Sequence, residues 1–257
     1  MDTEFAATLE AGQTTQVAGS RDLLAPNFAF RGIGGRSSLF EQIFALRYSI
    51  YCLECGYLDP KDYPTGHETD QYDIGAAHFT AHTPDGGLVG AVRLVHPYGL
   101  QRFPFEVHCQ QLFENMSLPH RDECAEISRL VVAKSYRRRP GDSIAGVAEE
   151  FTMGHLSKTP GGERERRNTS PQILLGMYRQ MYQYSLQHGV RYWYAAMGKA
   201  LQRVLTRYGF EFTPLGPATD YYGPVTPYIT DLRAVERRLM HANPALFAWF
   251  CGGHMLH

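Results

Sequence analysis

Charged residues interrupt the most apolar segments of this chain. A helical stripe of Phe40, Ile43, Phe44, Ile50 and Tyr51 carries Arg47 on or near it. The run LVGAVRLVH encloses Arg93, and AEISRLVVA encloses Glu126 and Arg129. An isolated buried charge costs several kcal/mol, so none of these residues can enter a core alone. An acidic run, Glu68-Thr69-Asp70-Gln71-Tyr72-Asp73, lies between the helix and LVGAVRLVH. Arg47, Arg93 and Arg129 set against Asp70, Asp73 and Glu126 sum to zero, which makes a paired internal network electrostatically sound. The alternative places each charge on a solvated edge.

Whole-chain composition frames that choice. The 257 residues are 44% hydrophobic, enough for a substantial core, and 25 Lys plus Arg against 26 Asp plus Glu leave a formal charge of −1. That balance argues against global disorder and against a basic nucleic-acid surface. The polar, acidic N-terminus has neither the basic start nor the apolar stretch of a secretory signal. Five cysteines at irregular spacings argue against a disulfide framework, so a reduced cytoplasmic setting is expected.

Along the chain, residues 1–36 read as a loosely ordered arm in which Asn27-Phe28-Ala29-Phe30 can dock. One domain is expected over 37–257. Ser37-Ser38 caps a helix that Gly56 stops, and 57–75 is a loop. Ala76–Thr83 and Leu88–His96 flank Pro84-Asp85-Gly86-Gly87, a hairpin pattern. Residues 97–122 are irregular with a short helix near Val107–Phe113, and Ala125–Ala133 is a central strand. The 134–170 segment is polar and Gly-rich; eight basic and five acidic side chains within 134–167 make it locally basic, the pattern of an insertion or lid. A helix from Pro171 to Gly189, a strand Val190–Met197, a helix Lys199–Tyr208, strands Phe210–Pro214 and Pro227–Leu232, and a helix Ala234–Cys251 broken at Pro244 complete the pattern. This order predicts a mixed α/β fold, one sheet with helices on both faces.

The series Arg47, Tyr51, Tyr57, Asp70, Asp73, Arg93, Glu126, Arg129 resembles the signature of acyl-homoserine lactone synthases. Those enzymes usually carry Phe and Trp where this chain has Tyr51 and Tyr57. The text LRYSIYCLECGYLDP, HETDQYDIGAAHF, VGAVRLV, FPFE and EISRLVV more closely resembles the N-acyl amino acid synthase branch, notably the acyltransferases named for PEP-CTERM/exosortase systems. The resemblance covers 40–133 well and implies a GNAT-like acyltransferase fold with a mostly antiparallel sheet. It also implies transfer of a fatty acyl group from a thioester to an amine.

Under that implication Glu126 is the base that takes the amine's proton, directly or through water. Backbone amides of Leu130, Val131 and Val132 are donors to the oxyanion if the strand is splayed or bulged there. On a regular strand residues 126 and 129 face opposite ways. Arg129 therefore shares a face with Glu126 only across a bulge, and its expected role is to brace the loop carboxylates, with Arg47, Asp70, Asp73 and Arg93 fixing that loop. The GNAT phosphate loop is half kept in Arg138-Arg139-Pro140-Gly141-Asp142-Ser143, where Asp142 repels phosphate. Arg137, Arg138 and Gly141 are thus candidate donor-binding residues for acyl-CoA, but an acidic acyl carrier protein suits the arginines better.

Other signals have plainer readings. One Cys52-Leu53-Glu54-Cys55 motif without a second pair does not make a metal site, and His67 reads as a polar loop residue. Tyr178, Met181, Tyr182, Tyr192, Trp193 and Tyr194 read as core before they read as an acyl channel. PALFAWF offers an apolar face to a membrane or dimer, but packing on the body is expected. Leu205 stands where many GNAT enzymes place a tyrosine acid for the leaving thiolate. The sequence thus reads as an N-acyltransferase with a small-molecule amine acceptor and no permanently bound cofactor. Alternatives are a lactone synthase using S-adenosylmethionine, a non-catalytic acyl-binding protein, and an acetyl-coenzyme A acetyltransferase.

Overall fold

A computed structural model describes residues 27–33, 37–96, 101–114, 116–137 and 169–252. Its sheet runs β1 (Ala29–Ile33), β2 (Ala77–His82), β3 (Leu88–Val95), β4 (Cys124–Val132), β5 (Tyr192–Met197), β8 (Pro224–Asp231) and β6 (Thr213–Pro214), with β7 (Thr219–Asp220) paired to β8. Only β4 and β5 are parallel; their connection contains α3 (Ser170–Gln187), as a parallel crossover requires. The other helices are α1 (Leu39–Tyr48), prolonged as a π-turn over Ser49–Glu54, α2 (Pro104–His108), α4 (Lys199–Arg207), α5 (Leu232–Ala242) and α6 (Pro244–Cys251). The sheet is mixed and mostly antiparallel, with helices on both faces, as the element order predicts.

Strand alternation separates two cores. Val92, Leu94, Ala125 and Ile127 pack with Ile173, Met177 and Met181 of α3 and with Phe250 of α6. Ala91 and Val131 turn the other way and meet Ile43 and Ile50 of α1. Tyr178, Met181, Tyr182 and Trp193 are buried in the α3 core, in agreement with their reading as core residues. No described helix is long and apolar enough to cross a membrane.

Several boundaries move. The docking segment of the arm is β1, paired with β2 from Ala29↔His82 to Ile33↔His78. The short helix forms at Pro104–His108 instead of Val107–Phe113: proline opens its first turn, and Glu106 reaches back to accept from the Phe103 N–H at 2.7 Å. Of Phe210–Pro214 only Thr213–Pro214 pairs as strand, while Phe210 and Phe212 are buried in the α3 core. The 138–168 part of the expected insertion lies outside the described residues.

The loop after α2 is locked where Phe113 N–H donates to the Leu215 carbonyl at 2.8 Å. A Cβ on the adjacent Gly216 would stand 2.2 Å from the Gln111 carbonyl oxygen, so this backbone approach excludes any side chain. Gly216→Ala is expected to destabilise by about 1–3 kcal/mol. At roughly 2–4 °C per kcal/mol for a chain of this size, calorimetry should show a clear fall in Tm. Gly32→Ala, whose Cβ would lie at an ordinary 3.6 Å from Phe79, should leave Tm nearly unchanged.

Candidate active site

The buried stripe of α1 is Ile43, Arg47, Ile50, so Arg47 enters the core between two isoleucines. Arg93 follows Ala91 on the same sheet face and is 1% exposed, like Arg47. The charges are internal, and the solvated-edge alternative is excluded. The acidic loop is held above them by its own chemistry. Asp70 accepts from the Tyr72 N–H at 2.8 Å, and Asp73 accepts from the Asp70 N–H at 2.8 Å. Both carboxylates keep further lone pairs for the arginines.

The result is a closed ring of alternating charge. Arg47 binds Glu68 through Nε and Asp73 through Nη1 and Nη2, at 2.6 and 3.2 Å. Arg93 binds Asp73 at 2.8 Å and both oxygens of Asp70, and its Nε donates to Ser128 Oγ at 3.0 Å. Arg129 binds Glu68 at 3.1 Å and Asp70 at 3.0 Å. Each arginine thus meets two acids and each acid two arginines. Burial opposes ionisation of Asp73, but Arg47 and Arg93 outweigh it and hold its pKa at about 2. Burial acts against the Arg129 guanidinium, yet Glu68 and Asp70 raise its pKa well above the ordinary value. His78 packs edge-on to Phe40 with Nε2 3.7 Å from Asp73; burial drives its pKa down to about 4, so it is neutral near pH 7.

Glu126 is the correction. The expected set paired it with the arginines, but among the described residues it forms no ion pair, and Glu68 completes the ring instead. Glu126 is 1% exposed, and its Oε2 accepts from the Phe105 N–H of α2 at 2.9 Å. Burial raises its pKa to about 8, against the smaller opposing effects of that N–H, Arg93 and Arg129. The carboxyl therefore holds its proton far above the ordinary carboxylate range, as a group that can exchange a proton near neutrality must.

A bulge joins the two parts. Between Ala91↔Val131 and Arg93↔Ser128 β4 holds one more residue than β3, and Arg129 lies there with φ +51°. A left-handed arginine costs about 1–3 kcal/mol. The extra residue brings Arg129 round to the face of Glu126 and Ser128. Pairing of β4 with β5 ends at Ile127↔Ala195, so Ser128–Val132 faces a gap on that edge among the described residues. Leu130, Val131 and Val132 border this gap, and the Tyr51 hydroxyl donates to the Leu130 carbonyl at 3.4 Å. The Arg129 guanidinium lies between two rings, 5.5 Å from the centroid of Tyr51 and 5.2 Å from that of Tyr222.

The donor-binding candidates are less complete. Arg137 is engaged by Glu54 and is not a free cation, while Arg138 and Gly141 lie outside the described residues. Cys52 is buried and Cys55 exposed, both as free thiols, and no group of His, Cys, Asp or Glu among the described residues could hold a metal ion.

Residues 46–145, which contain Arg47, Glu68, Asp70, Asp73, Arg93, Glu126 and Arg129, match a family model described as an acetyltransferase (GNAT) domain. No curated protein matches the chain in sequence. In fold the chain is similar to the AHL synthase LasI, at 14% identity over 90% of this chain and 98% of that one, with a TM-score of 0.58. It is similar to BjaI, a CoA-dependent acyl-homoserine lactone synthase solved with SAM and isopentyl-CoA, at 20% identity over 79% and 81%, TM-score 0.51. It is also similar to FeeM, an N-acyl amino acid synthase from uncultured soil microbes, at 12% identity over 82% and 94%, TM-score 0.51. At such identities the likeness is one of fold. With the domain match lying over the whole charged set, the chain is an acyltransferase with a GNAT-like fold.

Proposed function

We propose that this acyltransferase moves a long-chain acyl group from a carrier-protein or coenzyme A thioester to the amine of an amino acid or related small molecule. Glu126 carries the reading: a buried carboxyl with a pKa of about 8, held by a single amide beside the gap between β4 and β5. The arriving ammonium gives up a proton to Glu126, and the freed amine attacks the thioester carbonyl. The C–N bond forms, the C–S bond breaks, and the thiolate leaves as the second amine proton passes from the tetrahedral intermediate's nitrogen to the sulfur, giving amide and thiol with no change of oxidation state. Backbone amides of the Leu130–Val132 stretch, above all those of Leu130 and Val132 that alternate away from β3, are the donors for the oxyanion in this reading, and no cofactor needs to stay bound. Arg47, Asp70, Asp73, Arg93 and Arg129 hold the loop and bulge that frame this gap.

The N-acyl amino acid branch, including the PEP-CTERM-named enzymes, fits Tyr51 and Tyr57 better than the lactone branch does. FeeM, an N-acyl amino acid synthase by its description, has the same fold. A carrier-protein donor and a cytoplasmic setting belong to the same reading, and the local basic surplus of 134–167 supports the carrier.

The sign of the pH dependence follows from Glu126. Its folded-state pKa lies above the ordinary carboxylate value, so stability falls as pH rises from that range to about 8. Over the same interval the basic form grows, and kcat/KM should rise through an apparent pKa near 8. Glu126→Gln should remove that limb and lower turnover by roughly 10²–10⁴-fold with Tm preserved. Mass spectrometry of lipids from cells making either form tests the product: long-chain N-acyl amines should appear with the wild type alone. A folded wild type that acylates no amine from any thioester would refute the reading, and a lactone formed from S-adenosylmethionine would move it to the other branch.

The donor has its own test. Arg138→Glu with Arg139→Glu should raise KM for an acyl carrier protein thioester about tenfold in low salt. The same change should leave an uncharged acyl-N-acetylcysteamine thioester unaffected. Equal effects on both thioesters would remove the carrier from the proposal.

A further inference from the structure

Two described residues other than glycine have a left-handed backbone, Arg129 at φ +51° and Tyr222 at φ +53°, and they lie against each other. Arg129 owes its conformation to the bulge. Tyr222 belongs to the turn from β7 to β8, where Gly223 N–H donates to Asp220 Oδ1 at 3.1 Å and Tyr221 N–H to the Gly223 carbonyl at 2.9 Å. Such a turn favours glycine or asparagine at Tyr222, and tyrosine is an unfavourable choice there. A residue that costs stability locally and faces a buried charged site marks a functional constraint.

The neighbours indicate which. Tyr222 covers one side of the Arg129 guanidinium and Tyr51 another. Tyr221 stacks on His108 with centroids 3.9 Å apart and planes 9° apart, and its hydroxyl lies within reach of the Arg129 charge. His108 ends α2, the helix whose Phe105 N–H holds Glu126. Gly223 passes so close to Tyr57 that a Cβ would stand 3.2 Å from its hydroxyl. The turn therefore touches the arginine bulge on one side and, through His108, the support of the base on the other.

We infer that the Tyr221-Tyr222-Gly223 turn is a clamp that sets Arg129 and Glu126 in register, with Tyr222 its positioning residue. The inference rests on the acyltransferase reading for its consequence, though not for its geometry. Tyr222 acts through the ring face it offers to a cation, so phenylalanine can replace it and glycine cannot.

Glycine relieves the backbone while removing the ring, so stability and activity should separate. Tyr222→Gly is expected to keep or raise Tm yet lower kcat roughly 10–100-fold, with KM for the thioester nearly unchanged. Tyr222→Phe should retain most of the turnover. Hydrogen exchange at the amides of Glu126–Val132 should quicken in Tyr222→Gly and not in Tyr222→Phe, a readout that needs no substrate. Wild-type exchange rates in Tyr222→Gly would overturn the clamp, as would unchanged kcat or a loss no greater than the fall in folded protein. A wild type without acyltransferase activity, but with the exchange difference present, would count against the proposed reaction and leave the clamp supported.

Discussion

The rest of the site depends on the six-membered ring of Arg47, Glu68, Arg129, Asp70, Arg93 and Asp73. These residues come from one helix, one loop and two strands, and the ring joins all four elements at a single point. Removing any ion from water costs several kcal/mol, so no member is stable in this place without its neighbours. Closure of the ring distributes that dependence: each side chain is held by two partners, and the loss of one leaves two unsatisfied. Burial and pairing thus tie the loop to α1, β3 and β4 at three of its residues, Glu68, Asp70 and Asp73.

The ring also explains the bulge. A regular β4 would aim Arg129 to the α3 side of the sheet, toward apolar residues such as Ile127, Ile173 and Met177 and away from the acidic loop. The inserted residue turns it to the acidic loop at the expense of a left-handed backbone. The ladder with β5 ends after Ile127, just before the same insertion, so the bulged stretch of β4 has no partner on that edge among the described residues. One local irregularity thus coincides with both the charge pairing and the end of the β4–β5 ladder.

Much of this was legible in the sequence, for physical reasons. Arg47, Arg93, Glu126 and Arg129 stood out because charges in a periodic apolar pattern have few stable explanations. Glu68 did not, because the loop has no period against which a residue can be out of place. Once Glu126 is reserved as the base, three arginines face only two acids, and that deficit was the available signal for a third. The short helix α2 was misplaced because a five-residue element is set by Pro104 and Glu106 at its start and hardly at all by apolar spacing. Tyr222 carries no signal in the sequence, since its left-handed backbone exists only in three dimensions.

Glu126 and the ring acids experience the same burial with opposite results, and the difference lies in their partners. Asp73 is bonded to two guanidinium groups, and its pKa is held at about 2. Glu126 is bonded to one neutral amide, and its pKa is raised to about 8. Had Glu126 taken the place of Glu68, two arginines would have made it too weak a base to accept a proton near neutrality. Glu68 spares Glu126 from that pairing by supplying the third negative charge. The arginines still lie near enough to moderate the rise, so the carboxyl stays within reach of ionisation instead of being permanently neutral. A balanced ring next to a lone carboxyl is thus a way to obtain firmly ionised anions and a carboxyl of raised pKa from the same side-chain chemistry within one buried site.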